Sequence, residues 1–146
     1  GLVGSEMCIR DRYDGIARAA RDWFVSFLKS RAPANLGAPL ATLPRMQDAV
    51  GEIEALLAVN ARLIASAARD VDDGRPPAPA ESGMVKLTVT GNAIAAVEIA
   101  VRLTGNPGLA RANPLERHYR DVLCARIHTP QDDSIRQTAG RLALGL

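Results

Sequence analysis

LPRMQDAVGEIEALLAVNARLIASAARD, Leu43 to Asp70, decides the fold class of this chain. Met46, Val50, Ile53, Leu57, Asn60, Ile64 and Ala67 follow a four-three alternation through the stretch. Residues three and four apart share a face of an α-helix, so these side chains form one stripe. Thr42 is the expected N-cap, and Pro44 falls in the first turn, where its missing N–H costs nothing. At about 1.5 Å per residue the stretch makes a rod of roughly 42 Å. A rod that long needs neighbours of similar length to cover it.

The flanking sequence supplies them. In DGIARAARDWFVSFLKS, Asp14 to Ser30, the residues Ile16, Ala19, Ala20, Trp23, Phe24, Phe27 and Leu28 form one stripe, with Arg18, Arg21, Asp22 and Lys29 opposite. RAPANLGAPLAT, from Arg31, holds prolines and a glycine and reads as a loop. DVDDGRPPAPA, with Gly74 and three prolines, closes the rod. The next segment begins with MVKLTVT, which alternates as a strand would, but its Ala-rich continuation is apolar on both faces. It is expected to be a buried helix from about Glu81 to Leu103, stopped by Gly105. NPG is turn chemistry. Asn113 and Pro114 start a helix running to about Ile127, Pro130 breaks it, and Asp132 and Asp133 open a last helix ending near Leu144. Aromatics are only 3% of the chain while Ala and Leu abound, a composition that favours helices over sheets. The expectation is an all-α domain of three long and two shorter helices.

Bulk composition excludes several classes. Eighteen Lys and Arg against 16 Asp and Glu give a net charge of +2, with the basic residues scattered among acids, so no nucleic-acid footprint is present. No apolar run reaches the roughly 18 to 20 residues of a membrane span. The opening GLVGSEMCIRDR, Gly1 to Arg12, has no apolar periodicity. Read back into codons, it resembles a translated sequencing-library adapter. It is therefore expected to be a disordered, non-native stretch, with one domain over 13–146 that is the C-terminal part of a longer protein. Setting Cys8 aside leaves Cys124 alone, which allows no intrachain disulfide and no multi-cysteine metal site, and a cytoplasmic location follows as the expectation.

Few residues suggest chemistry by themselves. His128 stands at a corner before Thr129 and Pro130, as an acid, a base, a hydrogen-bond donor or simply the cap of a helix. His118 lies among Glu116, Arg117 and Arg120, where a solvated or ion-paired role is expected, and the two histidines form no metal set. LTGNPG is only loosely similar to a phosphate-binding loop. Arg117, Arg120 and Asp121 make either a solvated face with i, i+4 pairs or an anion-binding edge.

NPLERHYRDVLCARIHTPQDDSI, Asn113 to Ile135, resembles the C-terminal signature of the acyl-CoA dehydrogenase superfamily, most of all in PLERHYRD. The helix order and the glycine turns of 13–146 resemble that family too. The resemblance implies a four-helix bundle with a short extra C-terminal helix, packed against helical and β-barrel domains absent from this sequence. It also implies FAD, or alternatively FMN, bound in a homo-oligomeric dimer or tetramer that acts on an acyl-CoA, with an electron-transfer partner or flavin reductase. Arg31 matches the family's arginine on the flavin pyrophosphate, although the family's aromatic three residues later is missing from RAPA. Arg102, Gly105 and Asn106, with Thr104 and Gly108, match its glutamine and glycine-rich turn near a neighbouring subunit's cofactor. Gln131, beside the catalytic corner, is by the same resemblance expected to contact the cofactor. That corner commonly reads Tyr-Glu-Gly-Thr, whose carboxylate removes a substrate proton; here it reads His128, Thr129, Pro130, Gln131, so Thr129 occupies the base position. Flavin monooxygenases of the same fold place histidine at this corner, similar to His128 here, and are the alternative reading. A third is a non-catalytic oligomerisation module.

Overall fold

The computed structural model describes residues 2–146, with side-chain surroundings from residue 9 onward. Gly1 and the side chain of Cys8 lie outside the described residues. The fold is all-α, with no strand among the described residues. Its helices are α1 (Leu2–Ser30), α2 (Pro44–Asp72), α3 (Pro79–Thr104), α4 (Asn106–Leu109), α5 (Pro114–Leu123) and α6 (Asp132–Ala143). Short 3-10 turns occupy Leu40–Thr42 and Cys124–Arg126.

α3 is the centre of the molecule, packed on α1, α2, α5 and α6. By length and composition alone it is apolar enough to cross a bilayer, contrary to the expectation that no segment would be. Neighbouring helices account for that apolarity, because Val89, Ala93, Val97 and Ala100 are all fully enclosed by the bundle. Lys86 and Glu98 interrupt the run in the sequence and hid its length. α1 runs parallel to α3 and α2 antiparallel to both, since Arg10 hydrogen-bonds Ser82 while Asn60 reaches both Asp14 and Val89. α5 closes the four-helix bundle through Leu115 and Val122. α6 lies on the N-terminal turns of α3, where a Cβ on Gly83 would come within 3.3 Å of Ile135. The missing side chain lets the two helices meet that closely.

The stripe of α2 is as read from the sequence at Met46, Ile53, Leu57, Asn60 and Ala67, with Ala49 added. That of α1 is rotated: Tyr13, Ala17, Ala20, Phe24 and Leu28 are buried, Ala19 is exposed, and Trp23 and Phe27 stack on each other at 5.4 Å at the margin. Three expectations are corrected. Residues 2–12 are helical, because α1 extends through them, and Ile9 and Arg10 reach the body of the bundle, where tertiary contact supports a helix beyond its own propensity. Thr42 does not cap α2: Leu43 takes that position with extended dihedrals, and the Thr42 hydroxyl donates back to the Pro39 carbonyl at 2.8 Å. The fifth helix stops at Leu123 and tightens into a 3-10 turn before Ile127.

Candidate functional site

The parallel course of α1 and α3 sorts the candidate residues to two ends. From Tyr13 to Arg31, and likewise from Lys86 to Gly105, the helical rise spans roughly 27 to 29 Å. Arg31 follows the last turn of α1, Arg102 lies in the last turn of α3, and Gly105 and Asn106 follow it, so these four share one end. His128, Thr129 and Gln131 lie at the other end, with Tyr13 and Lys86. The structure thus brings the expected cofactor residues together except Gln131, which stands with the corner.

At the first end, Arg31 is exposed and its guanidinium has no partner among the described residues. Its main chain is anchored, its N–H donating to Phe27 at 2.9 Å and its carbonyl accepting from Leu40 at 2.8 Å. Arg102 shares a cleft of about 430 Å³ with Glu52, Glu98 and Tyr119, so two carboxylates stand near it. Gly105 has φ +69° and ψ −146°, a conformation that a side chain disfavours, and exposed Asn106 opens α4. Beyond it, a groove of about 910 Å³ is lined by Arg111, Asn113, Arg117, Tyr119 and Arg120. Arg120 pairs with Glu116 at 2.7 Å one turn away, so the solvated-face reading holds for that residue. Burial, and then the Arg117 charge, push the His118 imidazole below its usual 6.5, with Asp121 opposing.

The corner is built differently. Lys86, wholly buried in α3, donates to the carbonyls of Ala125 at 3.0 Å, His128 at 3.2 Å and Pro130 at 2.9 Å, and pairs with Asp132 at 3.1 Å. Carbonyls released between the end of α5 and the start of α6 have no helical partner. The ammonium satisfies them and in turn finds the acceptors a buried cation needs. Asp132 is spent on Lys86, and Asp133 accepts from the Ser134 N–H at 2.7 Å. Of the two carboxylates Asp132 is thus held by a buried cation, and exposed Thr129 at the base position offers only a hydroxyl.

His128 is half-buried and does more than cap a helix. Its main-chain N–H donates to the Cys124 carbonyl at 3.2 Å, and its ring Nδ1 lies 2.6 Å from the Tyr13 hydroxyl. Burial, then the neighbouring Cys124 and Asp121, raise the Tyr13 phenol above its usual 10, against Arg12, so it is a neutral O–H near pH 7. Tyr13 and Lys86 were both missed from sequence. Lys86 did leave a signal, a single charge inside the apolar run MVKLTVT; Tyr13, at the edge of the excluded stretch, left none.

Known proteins bear on this geometry. The family profile described as "Acyl-CoA dehydrogenase, C-terminal domain" matches residues 13–132. Bacillus subtilis YdbM, assigned by name to the acyl-CoA dehydrogenases, is 39% identical over 126 residues, covering 84% of this chain and 33% of its own length. Butyryl-CoA dehydrogenase from Megasphaera elsdenii superposes with a TM-score of 0.88 at 22% identity, over 98% of this chain and 37% of that one. A Mycobacterium smegmatis glutaryl-CoA dehydrogenase in complex with FADH2 gives 0.87 at 18% identity, over 97% and 36%. At such identities the two structures speak for the fold alone. The chain spans about a third of the length of the curated relatives it matches. It belongs to the acyl-CoA dehydrogenase family, as a C-terminal domain of that family.

Proposed function

We propose that this domain serves a flavin-dependent oxidoreductase acting on the CH–CH group of an acyl thioester. The observation that carries the reading is the family match over 13–132. The site chemistry agrees with it. A guanidinium offers two parallel donors to a phosphate, and Arg31 is exposed with its own uncommitted. Gly105 leaves open space where a Cβ would stand, so main chain can approach a ligand closely there. These features fit FAD, with FMN as the alternative: Arg31, Arg102 and the Gly105–Asn106 turn would hold it, and Gln131 would contact it from the corner. When bound, a flavin supplies the two-electron acceptor.

The remaining work falls to this chain's own residues. Lys86 fixes the corner backbone, His128 faces the substrate, and Thr129 leaves proton removal to a base outside this chain. Because the Arg31 end and the His128 end lie so far apart, one protomer's Arg31 would serve a cofactor lying against another protomer's corner. That arrangement calls for a homodimer or tetramer, in a cytoplasmic protein served by an electron-transfer partner. The chain alone should show no acyl-CoA turnover.

A monooxygenase served by a flavin reductase is the second reading, favoured by one observation: the corner offers a tethered histidine where a carboxylate base is expected. The test is to express the full-length gene, load it with flavin and add a panel of acyl-CoAs without oxygen. Bleaching of the flavin absorbance supports the dehydrogenase. An unchanged spectrum, with oxygen-dependent product once reduced flavin is supplied, selects the monooxygenase instead.

A further inference from the structure

The hydrogen bond between Tyr13 and His128 can run in either direction. Either the phenol donates to Nδ1, or Nδ1–H donates to the phenol oxygen. Tyr13 is 3% exposed, and its hydroxyl makes no other hydrogen bond among the described residues. In the second arrangement the O–H would be a buried donor with no acceptor, at a cost of about 1–3 kcal/mol. The 2.6 Å separation also suits an O–H donor better than a ring N–H, whose bonds to oxygen are usually longer. The rings meet edge to face, at 5.8 Å and 72°, which fixes the imidazole plane as well as its tip. A neutral imidazole carries one N–H, so with Nδ1 accepting, the proton resides on Nε2.

We propose that Tyr13 is a positioning residue that holds neutral His128 in its Nε2–H form, so that the corner presents a hydrogen-bond donor, and no proton-abstracting nitrogen, to an acceptor oxygen such as a thioester carbonyl. The role toward substrate rests on the reading given under Proposed function; the tautomer does not. Lys86 anchors the same residue from its main chain, because it grips the His128 carbonyl together with those of Ala125 and Pro130. The ring is thereby fixed at its main chain by Lys86 and at its Nδ1 by Tyr13. Thr129 at the family's base position is a hydroxyl, Asp132 is held by Lys86, and the His128 nitrogen able to accept is capped by a phenol.

The test is a long-range ¹H–¹⁵N correlation spectrum of the chain labelled at histidine, taken near pH 8 with His118 as internal control. The expected parent spectrum shows His128 Nδ1 without a directly bonded proton and Nε2 fully protonated. In Tyr13→Phe a measurable Nδ1–H population should appear at His128 while His118 stays unchanged. A proton on Nδ1 in the parent overturns the proposal, even where the variant folds poorly; so does a His128 pattern indifferent to Tyr13→Phe. The spectrum reports the tautomer whatever the substrate, so its failure and that of the flavin-bleaching test are separate results.

Discussion

Of the buried polar clusters among the described residues, one around Asn60 toward the middle of the bundle and one around Lys86 at its corner end do opposite kinds of work. In the middle, Asn60 donates to Asp14 and to the Val89 carbonyl, each at 3.0 Å, and accepts from Asn92, while Arg18 closes on Asp14 at 2.7 Å. Those groups join α1, α2 and α3, helices whose main chains are already satisfied. At the end, Lys86 holds carbonyls that no helix satisfies. The middle cluster selects how finished helices align; the end cluster gives shape to a segment that has none of its own. Polar groups buried among regular helices therefore bear on alignment, and those buried against irregular chain bear on a site.

The most damaging way to break this contrast is Lys86→Met. Removing one partner of a buried ion pair costs about 3–5 kcal/mol, and chemical denaturation should show a loss of that order. A loss below about 1 kcal/mol would mean the carbonyls find water instead. Asn60→Ala should cost less, about 2 kcal/mol, since Arg18 still pairs with Asp14; the same denaturation series measures it. Tyr13→Phe removes a single hydrogen bond and should cost about 1 kcal/mol, with the midpoint shifting and the slope unchanged.

The smallest effect lies at neither cluster. His118 titrates below its usual 6.5 in the folded chain, so the unfolded chain binds its proton first as pH falls. Its contribution to stability is full above about 6.5 and lost as pH drops from there toward the folded value. His118→Gln should flatten that part of the stability-versus-pH curve; an identical slope in parent and variant would remove His118 as its source.

Legibility in the sequence followed the same division. Helices with a repeating stripe were readable, because a period of three and four survives whatever the neighbours are, and Ile53, Leu57 and Asn60 fall where the spacing put them. What depended on neighbours was not. The α1 stripe turned toward Ala17 because Tyr13 and Asp14 face inward to partners on other elements. The cap of α2 moved to Leu43 because the Thr42 hydroxyl had a nearer acceptor in Pro39. α4 and the 3-10 end of α5 are too short to show a period. At the candidate site, His128 and Thr129 drew notice through a family resemblance, whereas Lys86 and Tyr13, which fix their surroundings, act across 42 and 115 residues of sequence. Contacts that distant leave no spacing to read.

The central claim is that one buried lysine shapes the corner. Hydrogen exchange followed by mass spectrometry, comparing Lys86→Met with Asn60→Ala under native conditions, tests it most directly. The account predicts that Lys86→Met speeds exchange over 125–135 well beyond the change in the rest of the bundle, while Asn60→Ala raises exchange across α1, α2 and α3 without singling out the corner. Uniform acceleration in both variants would contradict it, reducing Lys86 to one more contributor to global stability.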